Sequence, residues 1–289
     1  MTTDEQIQLE KEREYLVVKD NLLIQKSRFE LSLPEQKAIA YIVSKIQPVS
    51  AKDKAMGVPY QLDYDFDIRQ FCKVCGIDYN NGKNYADIKD MLQKLRDRSM
   101  WVEIDGDDVL MGWLSNVRTN KRSGNVHIKI DEYIAPYLFA LSEKYTAYQL
   151  GNIMQMKSAY SVRIYELAKS YRIQRSKKFA IDEFKKMLSV ENVKSYSNFK
   201  DFRKRVLEVA ENEINDMTDL NIKFEPKTKG RKVVAVEMFI QEKKNFKSAD
   251  TAFQAKFDKW IYERDNGLTN CMTFIEWEQE NRNTVDVQK

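Results

Sequence analysis

The sequence predicts a mostly helical α+β protein. It reads as two tandem copies of one helix–helix–helix–hairpin unit, related by internal duplication, followed by a C-terminal helical extension. Three observations predict this. The 289 residues favour helix formers and include only 9 Gly and 5 Pro, too few turn-makers for a sandwich or barrel of many short strands. Apolar residues recur at helical spacing in several separate segments, and alternating strand-like runs follow them. Two local patterns also repeat at nearly constant offset. Ile68-x-x-Phe71 matches Ile181-x-x-Phe184, 113 residues on, and Tyr85-Ala86-Asp87-Ile88-Lys89-Asp90 matches Tyr196-Ser197-Asn198-Phe199-Lys200-Asp201, 111 residues on. The length suits two domains, and 43% hydrophobic residues are enough for two cores.

In chain order, residues 1–14 are polar and charged and read as a flexible N-terminus in the form of a frayed or loosely attached helix. Leu16 to Ile24 reads as a short strand. Ser32 and Pro34 open a helix whose buried face carries Ile39, Ile42, Val43 and Ile46. Residues 47–58 form a loop, and Tyr60 to Phe66 alternates like a strand. Ile68 to Cys75 is a short helix stopped by Gly76. Tyr85 to Arg98 is another, with Ile88, Leu92 and Leu95 as its stripe. Two hairpins follow, from Trp101–Ile104, Val109–Val117 and Val126–Ile130. This order is that of a winged helix, and it recurs. Ser158 to Tyr171, Ile181 to Leu188 and Tyr196 to Met217 are helices, the last with Phe199, Phe202, Val206, Ala210 and Ile214 on one face. Leu220–Phe224 and Val233–Ile240 are strands around a basic tip at 225–232. The predicted units are 15–144 and 145–244. The extension at 245–289 is expected to contain one packed helix around Phe253, Phe257, Trp260 and Ile261, followed by Trp277.

The charge is unevenly placed. Residues 145–244 carry 21 basic and 13 acidic side chains, a net of +8, whereas 1–144 and 245–289 each have a net of −2. A concentrated positive field suits a polyanion, and an ordinary solvated lysine-rich exterior is the competing explanation. Several chemistries are disfavoured. His127 is the single histidine, so no paired-His metal site can form within the chain. Three cysteines (Cys72, Cys75 and Cys271) give no disulfide framework and suggest a reducing compartment. No apolar run reaches membrane length, so a cytoplasmic protein with no membrane partner is expected. Cys72-x-x-Cys75 is one pair inside a helix and reads as packing. Gly76 to Asn84 has the wrong spacing for a phosphate loop, with Asn84 where a hydroxyl should bind magnesium. Asp63-x-Asp65-x-Asp67 lacks the glycine and the final Glu of a calcium loop and reads as an acidic strand. Glu208, Glu211 and Glu213 form no distinguished catalytic pair. No cofactor is expected, and no enzymatic activity.

The helix over 196–217 carries the main positive signal. Its apolar stripe leaves Lys200, Arg203, Lys204 and Arg205 outward, near the end that a recognition helix inserts into the major groove. Ser195 or Ser197 can cap that end, which then also favours a phosphate. Lys227, Lys229, Arg231 and Lys232 are placed as a wing against backbone or minor groove. Lys157, Arg163 and Lys194 are placed for flanking phosphates. In the first unit, Arg118, Lys121 and Arg122 offer a weaker DNA contact. There Val109, Met111 and Trp113 suggest a dimerisation face, with a simple hydrophobic core as the equal alternative.

Several motifs resemble those of the iteron-binding plasmid replication initiator proteins. They are Val18-x-x-Asn21-x-Leu23, Leu31-x-Leu33-x-Glu35-Gln36, Tyr165-Glu166-Leu167, Phe199 to Leu207, Glu213-Ile214-Asn215, Thr218-Asp219-Leu220 and Lys229 to Val233. The likeness spans about residues 15–243 and leaves 245–289 unexplained. It implies two winged-helix domains, the second the main DNA reader and the first a site of dimerisation or accessory contact. It also implies binding of double-stranded DNA at repeated origin sites, strand opening, and recruitment of a host initiator ATPase and replicative helicase. Members commonly act as monomers at the origin and as dimers that repress their own promoter. Two other readings remain. A rolling-circle nicking initiator would be an enzyme with a Tyr nucleophile and a His-held metal, which one histidine cannot supply. A plain winged-helix repressor would bind DNA without opening it.

Overall fold

The computed structural model describes residues 3–26, 30–46, 57, 59–77, 82–104, 106–139, 145–243 and scattered positions between 255 and 281. The first unit runs α1 (Thr3–Arg13), β1 (Leu16–Asp20), α2 (Asn21–Lys26), α3 (Leu33–Val43), β2 (Asp63–Asp67), α4 (Ile68–Cys75) and α5 (Gly82–Asp97). It continues through β3 (Ser99–Ile104), β4 (Asp107–Gly112), β5 (Leu114–Thr119), β6 (Asn125–Ile130) and α6 (Pro136–Phe139). Then come β7 (Tyr145–Gln149), α7 (Leu150–Met154) and α8 (Ala159–Tyr171), and after a short 3₁₀ turn β8 (Ser176–Ala180) and α9 (Ile181–Met187). Helix α10 spans 199–217, with a π-helical middle at Arg203–Leu207. Strands β9 (Leu220–Lys229) and β10 (Lys232–Glu242) close the second unit.

The two units share one sheet plan. In the first, β2, β6 and β5 lie side by side in that order; in the second, β8, β10 and β9 do the same, all antiparallel. A helix leaves the first strand of each sheet at once. Asp67 starts α4 by accepting the Arg69 and Gln70 amides, and Gly76 ends it at φ +67°, a conformation that L side chains rarely adopt. The first unit differs by an inserted hairpin, β3–β4, between its second long helix and its wing. The run read as one strand over 109–117 is therefore two strands broken at Trp113.

Other differences have local causes. The strand predicted from Leu16 ends at Asp20, whose carboxylate accepts the Leu22 amide and starts α2. The tail of α1 is not loose: buried Glu12 accepts from Gln70 and pairs with Lys45 at 3.3 Å. Strand β7 pairs with β1, so residues 145–149, placed in the second unit by sequence, are hydrogen-bonded to the opening strand of the first. Most of the loop read at 47–58, and Phe253, Phe257 and Ile261, lie outside the described residues. Trp260 and Trp277 of the extension are buried against Val18 and Ala147 of the β1–β7 ribbon, and the Trp277 indole donates to Glu263.

Helix α8 sits where the units meet and is buried from Ser161 to Lys169. Its charges are satisfied internally. Lys19 on β1 donates to Glu166 at 2.6 Å, and the Tyr148 hydroxyl donates to the same oxygen at 2.5 Å. Burial alone would raise the Glu166 pKa; Lys19 and Arg163 outweigh it and hold the carboxyl below its usual range. A second buried group joins Lys169, Tyr165 and Asn152 to Asp219, with Lys169 at 2.8 Å. Removing one partner of such a pair strands the other without solvent. Lys19→Met is expected to cost about 3–5 kcal/mol of unfolding free energy at neutral pH. A lowered carboxylate stabilises above its unfolded pKa and loses that contribution as pH falls through the folded value, whereas the variant is relieved by protonating Glu166. Urea unfolding near neutrality and in mild acid should show the gap between the two proteins narrowing in acid.

Candidate nucleic-acid interface

The basic helix starts at Asn198, whose side chain accepts the Lys200 amide at 3.0 Å. Neither serine caps it: Ser197 lies in the preceding 3₁₀ turn and donates to the Lys194 carbonyl. Phe202, Val206, Leu207, Ala210 and Ile214 are buried, and this forces Lys200, Arg203, Lys204 and Arg205 outward, all exposed. Arg203 donates from Nε to Glu208 at 3.0 Å.

The wing is a longer ribbon than the sequence implied. Residues 225–229 are ladder-paired strand, and only Gly230 and Arg231 turn. Gly230 has φ +61°, so the sharp turn needs glycine there. Lys229, Arg231 and Lys232 are exposed at this tip. Lys227 is set back from it and pairs with Glu237 at 2.8 Å and Glu225 at 3.5 Å. The hydrogen bond to Glu237 holds its ammonium above the usual lysine range, so part of its charge is already answered within the sheet. Lys157 and Lys194 are exposed, and the Lys157 backbone is held by the Glu213 carboxylate.

Arg163 has to be withdrawn from the interface. It is 4% exposed, lies 4.0 Å from Glu166, and donates to the Met187 carbonyl. Helix α8 has no solvent face at that point, so the side chain serves the joint between the units.

In the first unit, Arg118, Lys121 and Arg122 are exposed around the β5–β6 turn and line an open groove. Asn120 folds that turn by accepting the Arg122 and Ser123 amides. Acids share the neighbourhood: His127 lies 3.1 Å from both Asp63 and Asp65 on the acidic strand β2. On α5, Lys94 pairs with Asp90 and Arg96 with Asp97. This positive field is locally cancelled, whereas on α10 four exposed cations, Lys200, Arg203, Lys204 and Arg205, outnumber the partly exposed Asp201 and Glu208 beside them.

The proposed dimerisation face is corrected in the same way. Met111 and Trp113 are buried in the core and Val109 is half-buried. The other face of the β3–β4 hairpin is the exposed one, where Trp101 (59% exposed) and Leu110 (51%) are directly paired across the strands. Sequence reasoning missed Trp101; its alternation with Met100 and Val102 was the available signal. Cys72 and Cys75 are buried on α4, and burial pushes the Cys72 thiol up to about 12 and Cys75 higher still, so both are packing groups.

Two sequence families match this chain. One described as "Initiator Replication protein, WH1" covers residues 16–169, more than half of it, and one described as "Initiator Rep protein, WH2" covers 180–240. The chain belongs to the replication initiator protein family. As an initiator of this family it is a DNA-binding protein built on tandem winged helices. The Pi initiator protein, solved in complex with iteron DNA, has the same fold, with a TM-score of 0.59 at 17% identity over 81% of this chain and 99% of that one. Domains 2 and 3 of RctB give 0.42 at 12% identity over 74% of this initiator and 85% of that chain. The WH1 domain of the MSBI1.176 replication protein gives 0.27 at 15% identity over 38% and 81%. Among the described residues, no helix of the initiator is long and apolar enough to cross a membrane.

If the tip grips phosphates, replacing Lys229, Arg231 and Lys232 with Gln should flatten the plot of log affinity against log salt by about 2–3, near 0.9 for each phosphate no longer neutralised. Fluorescence anisotropy on a labelled duplex over a salt series measures this.

Proposed function

We propose that this initiator binds repeated double-stranded sites in a plasmid origin through α10 and the β9–β10 wing. One observation carries the reading: four outward basic residues on one helix and three on the adjoining ribbon tip belong to the same winged-helix unit. In this reading Lys200, Lys204 and Arg205 hold phosphates and Arg203 reads a base edge. The wing tip and Lys157 and Lys194 grip the backbone to either side. Arg118, Lys121 and Arg122 add a weaker contact from the first unit. The Pi initiator, of the same fold, was crystallised on iteron DNA, and this supports repeated sites as the target. After binding, the protein would open strands and recruit a host initiator ATPase and replicative helicase in the cytoplasm, as a DNA-binding assembly factor rather than an enzyme. Dimers formed through the Trp101–Leu110 face would repress the initiator's own promoter.

Hydroxyl-radical footprinting on the DNA flanking the encoding gene tests the target. Tandem protected repeats, weakened steeply by salt, are expected; protection of one isolated operator, with no strand opening by permanganate, would make the protein a plain repressor. For self-association, Trp101→Ser with Leu110→Ser is expected to shift sedimentation toward monomer while leaving binding to one repeat within about twofold, because these residues lie outside the proposed DNA surface.

A further inference from the structure

Three carboxylates lie among or beside the outward cations of α10: Asp201 next to Lys200, Glu211, which accepts the Phe224 amide, and Glu208, which pairs with Arg203. A carboxylate there repels phosphates and lowers affinity for any duplex. The position of Glu208 relative to Arg203 follows from the backbone. In a regular α-helix, residues three and four apart are neighbours. Positions 203 and 208 are five apart, and the helix between them is π-helical, with i→i+5 hydrogen bonding. The wider turn brings the two side chains together, and Arg203 Nε donates to Glu208 Oε1 at 3.0 Å. Both side chains are about half exposed and line one small cleft with Phe199, Leu207 and Phe224, between the helix and the wing ribbon.

The chemistry of this contact is directional. A guanidinium has five N–H donors in a planar fork. With Nε engaged by Glu208, the two terminal amino groups remain as donors that can act together. That end-on pair matches O6 and N7 of a guanine in the major groove. A free arginine would have to be ordered on binding, whereas this one is already held. As an isolated surface ion pair the contact would stabilise the fold very little.

We infer that Glu208 is a positioning residue that presents Arg203 end-on to a guanine edge and penalises DNA lacking that guanine. This deepens the reading of α10 as the groove reader and rests on it. The Glu208 carboxylate contributes selectivity by two routes. It orients the fork toward a correct base pair. Where the guanine is missing, it leaves a charge facing the duplex that no matched contact offsets.

The test uses the full-length chain and a duplex selected by the wild-type protein from a randomised library. Every base pair of that duplex is then exchanged singly, and an unrelated duplex reports general affinity. Wild type, Glu208→Ala, Glu208→Gln, Arg203→Ala and the Arg203→Ala/Glu208→Ala double variant are compared at one salt concentration. Thermal melting checks that all five are folded alike. Glu208→Ala is expected to reduce discrimination at a single G·C pair by about tenfold, within the range of a bidentate arginine–guanine contact, while binding the unrelated duplex more tightly. Glu208→Gln should fall between, since its amide oxygen still accepts from Nε. Arg203→Ala should lose discrimination at the same pair, and adding Glu208→Ala to it should change that discrimination no further. A uniform rise in affinity for every duplex in Glu208→Ala would overturn the proposal and leave Glu208 a simple repelling charge. So would a loss of discrimination that persists without Arg203. If Arg203→Ala itself weakens all sequences equally, the fault lies with Arg203 as a base reader.

Discussion

The burial of one apolar stripe on α10 is the constraint on which the interface depends. Phe202, Val206, Ala210 and Ile214 are fully enclosed beneath the sheet of the second unit. Burying a Phe, Val or Ile side chain is worth about 1.5–3 kcal/mol each, whereas an exposed ion pair contributes about 0.2–1 kcal/mol. The helix is therefore oriented by its apolar side, and no arrangement of its charges can turn it. With that face committed, Lys200, Arg203, Lys204 and Arg205 have no position except outward. The same sheet carries the wing, so the helix face and the ribbon tip are fixed relative to one another before any DNA arrives. This preorganisation is what gives a set of ordinary lysines and arginines a shape.

A second constraint holds the units together. The β1–β7 ribbon crosses the division between them, and the buried Lys19–Glu166 and Lys169–Asp219 pairs tie successive turns of α8 to β1 and to the start of the wing. Such pairs add little net stability beyond what an apolar replacement would supply, but they tolerate few alternative registers, because a displaced partner is left charged and dry. The extension at 245–289 places two tryptophans on the outer face of the same ribbon. The first unit, with its self-cancelling charges and exposed Trp101–Leu110 pair, contributes surfaces of a different character from the basic second unit.

Much of this was legible in the sequence, for identifiable reasons. Period-3.6 patterning over 199–214 located the reader helix and its buried side, and the repeat at offsets of 113 and 111 residues anticipated two units that share a sheet plan. Part of what failed to show depended on partners remote in the chain, and part on local backbone geometry that leaves no residue pattern. Arg163 looked like one more exposed cation because only Tyr160, Ile164 and Leu167 marked a stripe. It is enclosed because α8 is covered on all sides by segments such as β1, more than a hundred residues away. In Val109-Leu110-Met111-Gly112-Trp113 nearly every residue is apolar, so alternation could not say which parity faces the core. The π-helical turn at 203–207 leaves no pattern in the residues, and with it the Arg203–Glu208 contact was hidden. Resemblance of motifs identified the family, while the placement of individual side chains needed the fold.

Lysine labelling read by mass spectrometry, with and without a bound duplex, tests the central claim most directly. Lys200, Lys204, Lys229 and Lys232 should lose reactivity on binding. Lys178, exposed on the outer strand β8 away from the helix face, should keep its reactivity. Unchanged labelling at the first four positions, or protection at Lys178 in their place, would contradict the account.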